Sequence, residues 1–204
     1  MIKKTALLLL LIPAFAVIGN PSKNLLHVDT YKVDVKSSKV EWTGEKVSGK
    51  HTGTVNLISG EFFNNHGKFG GVFKMDMTTI SSTDLTGDKK GKLEGHLKSD
   101  DFFGIKTFPT STLEIISVTP LTGVDAGAPN FNVTGNLTLK GITQEISFPA
   151  TIRFDGPNMS ANGEIKIDRS KFDVRYGSKS FFADIGDNAI SDIFVLKFDI
   201  KAAM

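Results

Sequence analysis

The chain has 204 residues, a formal net charge of +2, no cysteine, and hydrophobic residues at 40% of its length. That length suits one β domain with its own core, and so small a net charge leaves no concentrated basic face for nucleic acid. Lack of cysteine excludes disulfides and a lipid-modified N-terminal cysteine, so an exported form must hold together by its core alone.

Lys3 and Lys4 precede an apolar run from Thr5 to Ile12, and Ala14-Phe15-Ala16 sets small residues at cleavage positions. This is the pattern of a secretory signal peptide over residues 1–19, cut after Ala16 or, as second choice, after Gly19. The run falls short of the roughly 20 apolar residues that a spanning helix needs. An uncleaved N-terminal anchor stays open as the alternative. No later stretch is apolar enough to span, so the mature protein is expected to be soluble and either periplasmic or secreted. Residues 20–29 read as a flexible lead-in, and 30–204 as one barrel domain.

From there the chain keeps a period of two, which gives strands with one apolar and one wet face. Tyr31, Val33 and Val35 alternate with lysines and Asp34; Val40, Trp42 and Gly44 follow after a turn or bulge at Ser37-Ser38. Over residues 51–63 the parity changes from Val55 and Leu57 to Ile58, Gly60 and Phe62, which predicts a bulge near Ser59-Gly60. Beyond the turn Asn64-Asn65-His66-Gly67, the residues Phe69, Gly71, Phe73, Met75 and Met77 face one way.

The middle is different. Leu93 and Leu97 sit at helical spacing in a charged stretch over 84–106, and Ser99 is placed to cap a second short helix near Asp100. One or two short helices should cross an end of the barrel, with Phe102 or Phe103 as a plug. In the strand after Pro109, Leu113 and Ile115 compete with Ile116 and Val118 for the inner face. Three regular strands then span 131–167, their inward parity carrying Val133, Leu137, Leu139, Ile146, Phe148, Ile152, Phe154, Met159, Ile165 and Ile167. The last strand turns Phe194, Leu196, Phe198 and Ile200 inward. The predicted fold is all-β: an antiparallel up-and-down barrel of about eight strands.

The inner face then comprises Trp42, Phe73, Met75, Met77, Leu137, Leu139, Ile146, Phe148, Ile152, Phe154, Ile165, Ile167, Phe194, Leu196 and Phe198. Eight strands stand at the border between a filled and a hollow barrel, so the parity alone leaves a packed core and a lipid cavity open. Gly44, Gly71, Gly135 and Gly163 on this face leave room, and methionines adapt to an apolar guest.

Several stretches carry a resemblance. They are Val40-Glu41-Trp42-Thr43-Gly44, Gly49-Lys50-His51-Thr52-Gly53-Thr54-Val55 and Gly70-Gly71-Val72-Phe73-Lys74-Met75-Asp76-Met77. Further on come His96-Leu97-Lys98-Ser99-Asp100-Asp101-Phe102-Phe103 with Phe108-Pro109, then Val133-Thr134-Gly135-Asn136-Leu137-Thr138-Leu139-Lys140-Gly141 and Ile167-Asp168-Arg169-Ser170-Lys171-Phe172. In this order, from about residue 30 to the C-terminus, the chain resembles the YceI-like family. These are exported bacterial proteins with a lipocalin-like barrel that bind polyisoprenoids or related amphiphiles. The resemblance implies a ligand tunnel, export, no known catalytic residues and no cofactor.

Mouth candidates beside loops are Lys50, His51, His96, Arg169, Arg175, Tyr176 and Lys179, with Phe102 and Phe103; arginine suits a phosphate or carboxylate head by paired hydrogen bonds. The plainer reading has Asp168 and Arg169 pairing to fix a strand end, and His51 and His96 capping turns. The histidines His27, His51, His66 and His96 lack metal-ligand spacing, and no Gly-x-Ser-x-Gly elbow is present.

The expected guest is a small-molecule lipid, a prenyl quinone or prenyl phosphate, held by a carrier, buffer or sequestering protein that is not an enzyme. Rival readings are a fatty acid or fatty amide guest, an accessory of a membrane quinone redox system, and a filled barrel with a structural role. Transient membrane contact for loading and a homodimer are both compatible with the chain.

Overall fold

Alternation becomes nine antiparallel strands, with one α-helix and a short 3-10 turn at Arg169–Phe172, in the computed structural model, which describes residues 28–186 and 189–204. The expected signal peptide, and the lead-in up to His27, lie outside the described residues. The elements are β1 Asp29–Val33, β2 Lys39–Lys46, β3 Gly49–Asn65, β4 Lys68–Ser82, α1 Gly87–Lys98, β5 Thr110–Pro120, β6 Phe131–Leu139, β7 Ile142–Asp155, β8 Asn158–Asp168 and β9 Ile193–Ala203.

Neighbouring strands run β3-β2-β9-β8-β7-β6-β5-β4, and β4 pairs back onto β3, so the sheet closes. β1 has the same two neighbours as β2, pairing Asp29–Lys32 with β3 and Lys32–Val33 with β9. The two therefore make one stave, broken where the Asp34 carboxylate accepts bonds from the Lys36 and Ser37 N–H groups and the Ser37 hydroxyl. Eight staves form the wall. Closure leaves no free sheet edge, the exposure that open sheets must otherwise cover.

Two bulges settle the ambiguous parities. In β3, Leu57 pairs with Met75 and Ser59 with Lys74, so Ile58 is the extra residue and points to solvent. Leu57 and Phe62 can then both face the core. In β5 the register skips Ile116 between Ile115 and Ser117. Leu113, Ile115 and Val118 face inward and only Ile116 is thrown out.

At one end α1 lies across the opening. Its sequence is mostly polar, so little apolar burial fixes it; Leu97 is buried and Leu93 partly so. The tether is Glu94, whose Oε1 accepts from Ser81 Oγ at 2.7 Å and Ser82 N at 2.9 Å. Those bonds hold its carboxyl below the usual carboxylate range, against burial. Ser99 does not start a second helix as predicted. It ends α1, donating its hydroxyl and its N–H to the His96 carbonyl. Residues 100–107 form turns that bury both Phe102 and Phe103, in edge-to-face contact at 4.9 Å.

The opposite end is closed by aromatic rings. Phe69 stacks on Phe62 and Phe154, Tyr31 tilts against Phe154 at 5.5 Å, and Phe131 meets Phe69 edge-on. Phe154 belongs to this floor. It is 39% exposed and lines no part of the cavities described below, which corrects its placement in the tunnel wall. Its parity is inward, but it sits one residue from the strand end, where the face turned to the axis is already rim.

Three of the inner-face glycines do not open space. A Cβ on Gly135 would stand 2.6 Å from the Glu114 carbonyl oxygen, on Gly71 2.7 Å from that of Glu61, and on Gly163 2.9 Å from that of Pro149. They let neighbouring backbone come close. Only Gly44, with nothing within 4 Å of a Cβ, leaves room. Gly135→Ala should therefore lower stability by about 1–3 kcal/mol, whereas Gly44→Ala should change it by less than about 0.5 kcal/mol. Denaturant melts of the two variants check this, and equal losses would contradict it.

Candidate functional site

Inward side chains enclose two cavities along the barrel axis. The deeper one, about 100 Å³, is lined by Phe73, Phe148, Ile165, Phe198 and other apolar side chains, with Ser111 the one polar side chain in the lining. The upper one, about 90 Å³, lies beneath Phe102, Phe103, Leu97 and Phe194. Met75, Ser111, Leu137, Ile167 and Leu196 line both, so the two cavities stack end to end inside the barrel. Above it a wider mouth of about 370 Å³ opens between α1, the β2–β3 hairpin and Tyr176. Trp42, Gly44, Leu97, Phe102 and Ile190 are common to the mouth and the upper cavity. No acidic or basic side chain borders the deeper cavity, because every inward position of those strands carries an apolar or hydroxyl side chain. Such a lumen can hold an apolar chain and gains stability from each buried methylene.

The tunnel residues predicted from parity all border these cavities, Phe154 excepted. Val40, Phe62, Leu113, Ile115, Val133, Ala150, Ala161 and Ile200 also line the lumen. Several had been visible as inward parity, while Phe62, Leu113 and Ile115 became assignable only once the bulges were located.

At the mouth the predicted residues divide. His51, His96, Phe102 and Tyr176 line it, and Phe103 lies in the upper cavity. Lys50 and Lys179 are exposed and border none of the cavities described. Arg175 lies in a separate outer groove, 60% exposed in its side chain, paired with Asp173 and set over the Phe181 ring.

Arg169 is the main correction. It is 2% exposed and its guanidinium is turned onto the protein's own carbonyls. Nε donates to the Ser191 carbonyl, Nη1 to those of Val174 and Tyr176, and Nη2 to that of Ile190, with Asp192 Oδ1 3.4 Å away. A guanidinium has five N–H groups; four donate to these carbonyls and the Asp192 carboxylate stands beside Nη2. Arg169 therefore ties residues 174–176 and 190–192 together over the barrel end, and its buried charge is already paired. Asp168, its expected partner, instead accepts from the N–H and hydroxyl of Ser170. Among the described residues no three of His, Asp and Glu come together as a metal site would require.

The sequence matches the family described as "YceI-like domain" over residues 31–202. The chain belongs to the YceI-like family. Among solved structures it is similar to BcnA of Burkholderia cenocepacia, at 25% identity and TM-score 0.65, over 84% of this chain and 99% of that one. It also shares its fold with a polyisoprenoid binding domain from Saccharophagus degradans implicated in plant cell wall breakdown, at 17% identity and TM-score 0.60, over 87% of this chain and 99% of that one. No curated protein matches the sequence.

One mouth residue of this YceI-like barrel works as a latch. His51 Nδ1 lies 2.8 Å from Asp84 Oδ2, while Asp84 Oδ1 accepts from Thr52 N at 3.0 Å and Ser82 Oγ at 2.9 Å. Burial pushes the Asp84 pKa up, but the bonds from His51, Thr52 and Ser82 together prevail and lower it from 3.8 to about 2. A carboxyl with a depressed folded pKa adds stability above its unfolded value, and that stability is lost as pH falls through the folded one. Thermal melts between pH 5 and about pH 2 should therefore show part of the native protein's acid sensitivity missing in Asp84→Asn. Parallel curves for the two proteins would contradict the latch.

Proposed function

We propose that this protein takes up one long-chain amphiphile, an isoprenoid of prenyl-quinone or prenyl-phosphate type, with its tail along the barrel axis. It acts as a carrier, buffer or sequestering protein in the cell envelope, and it carries out no chemistry on the guest. The observation behind this reading is the pair of apolar cavities stacked along the barrel axis, the deeper one lined by no charged side chain, with aromatic rings closing the floor and a wider mouth above. A one-ended greasy tunnel accepts a tail and leaves the head at the mouth. The polyisoprenoid-binding domain of the same fold supports the choice of guest.

Tail length is limited by the space. A cavity of about 150 Å³ takes a benzene-sized guest, so the lumen in this conformation fits a short apolar segment. A longer tail enters as Met75, Met77 and Phe194 change rotamer; methionine does so at low cost. The narrow lumen also favours a second reading, in which the guest is a fatty acid or fatty amide, slimmer than a branched prenyl chain.

Export agrees with this role, with residues 1–19 as the signal peptide. No helix among the described residues is long and apolar enough to cross a membrane. Loading from a bilayer is served by Val47 and Tyr176, which stand exposed at the mouth end, with Lys46 in the mouth lining.

Phe148 is the residue on which to test the tunnel. It is buried, lines the deeper cavity and meets Phe198 edge-on at 5.8 Å. Phe148→Arg sets an unpaired charge in the lumen, a costly burial, and should weaken uptake of a prenylated quinone by more than about tenfold. Ala161→Phe fills the same lumen without a charge and should do likewise if the arginine variant does not fold. Unchanged uptake by either folded variant would show that this face is not the tunnel wall.

A further inference from the structure

Two buried nitrogens at the neck of the barrel have no partner. Trp42 Nε1 and His96 Nε2 are both shut off from solvent and hydrogen-bonded to nothing in the protein. Trp42 is 8% exposed, and both residues line the mouth cavity. Native structures pair nearly all such groups, because an unmade hydrogen bond in the interior costs the full desolvation of the group. Among the described residues the one other buried side-chain atom in this condition, Asp192 Oδ1, faces Arg169 at 3.4 Å and so has a charge partner. The residues that carry the remaining two both line the mouth cavity, and Trp42 also lines the upper cavity beneath it.

We propose that Trp42 and His96 form the head-group subsite of the tunnel, and that the head they take is uncharged and presents a carbonyl oxygen. The inference deepens the amphiphile-binding reading and rests on it. An indole N–H only donates, so whatever satisfies Trp42 is an acceptor. With its proton on Nε2, His96 supplies a second donor to the same oxygen or to another on the same head.

Both rings are held in place before any guest arrives. The indole lies across Gly53, where a Cβ would come within 2.4 Å of the ring. The imidazole is met edge-on by Tyr176 at 4.1 Å and by Phe102 at 5.7 Å.

Charge decides between head groups. A phosphate calls for unspent cationic donors. Arg169, the one guanidinium bordering the lumen or mouth among the described residues, has its donors on backbone carbonyls and Asp192. His51 is held by Asp84, and the rest of the ionisable mouth lining is Glu45 and Lys46 beside His96. Lys46 stands on the exposed rim of the mouth, whereas the buried neck offers the indole and imidazole nitrogens in an aromatic setting, which suits the carbonyl of a quinone or of an amide.

The chain has a single tryptophan, so its indole N–H gives one resolved ¹H–¹⁵N cross-peak. Delipidated protein is titrated with three compounds on one geranylgeranyl tail: the hydrocarbon, the benzoquinone and the monophosphate. A fatty amide of matching length is the fourth. The quinone or the amide should shift the indole peak and bind about 3- to 10-fold more tightly than the hydrocarbon; whichever shows the larger margin identifies the source of the carbonyl. Trp42→Phe and His96→Phe should each reduce that margin, read as the ratio of carbonyl-compound to hydrocarbon affinity within the same variant. The subsite is overturned if neither carbonyl compound exceeds the hydrocarbon, if the margin survives in both variants, or if the phosphate binds tightest. Failure of the native protein to take up any tailed compound would sink the tunnel itself and the subsite with it, whereas hydrocarbon uptake without a head-group margin overturns the subsite alone.

Discussion

Pairing of β4 back onto β3 is the constraint on which the rest of the molecule depends. Once the sheet closes, every strand residue is committed to the lumen or to solvent, because a slip of one position would exchange the two faces. The chain meets that demand with apolar or hydroxyl residues at the inward positions and charge outside. Where a strand would otherwise fall out of phase, a single extra residue, Ile58 or Ile116, is thrown outward to restore it. Closure also accounts for the absence of disulfides, since an edge-free wall around a large apolar interior needs no staple.

The two ends of the barrel are finished by different physics. The floor is a set of rings, Tyr31, Phe62, Phe69 and Phe154, packed by contact alone. The mouth is held by polar bonds. Glu94 ties α1 to the end of β4, Asp84 joins β3 to the segment after β4, and Arg169 collects the carbonyls of the returning segment.

What could be read from the sequence followed from periodicity. Leu137, Phe148 and Leu196 lie in the lumen because alternate residues of a strand share a face, and that rule needs no knowledge of the partner strands. Depth along the axis is not encoded in parity, which is why Phe154 looked like tunnel wall and belongs to the floor. Arg169 stands in a recognisable stretch, yet its role depends on where the carbonyls of Val174, Tyr176, Ile190 and Ser191 come to lie. Trp42 and His96 were each noticed, one as lining and one as mouth. Their meeting in one cavity depends on how α1 docks across β2, and no local pattern reports that.

Native mass spectrometry with organic extraction, on protein prepared from an exported, detergent-free source, addresses the central claim most directly. One bound amphiphile per chain, with the mass increments of an isoprenoid, is the expected result. Protein that carries no lipid and takes up no added quinone would contradict the account and leave a filled barrel in its place.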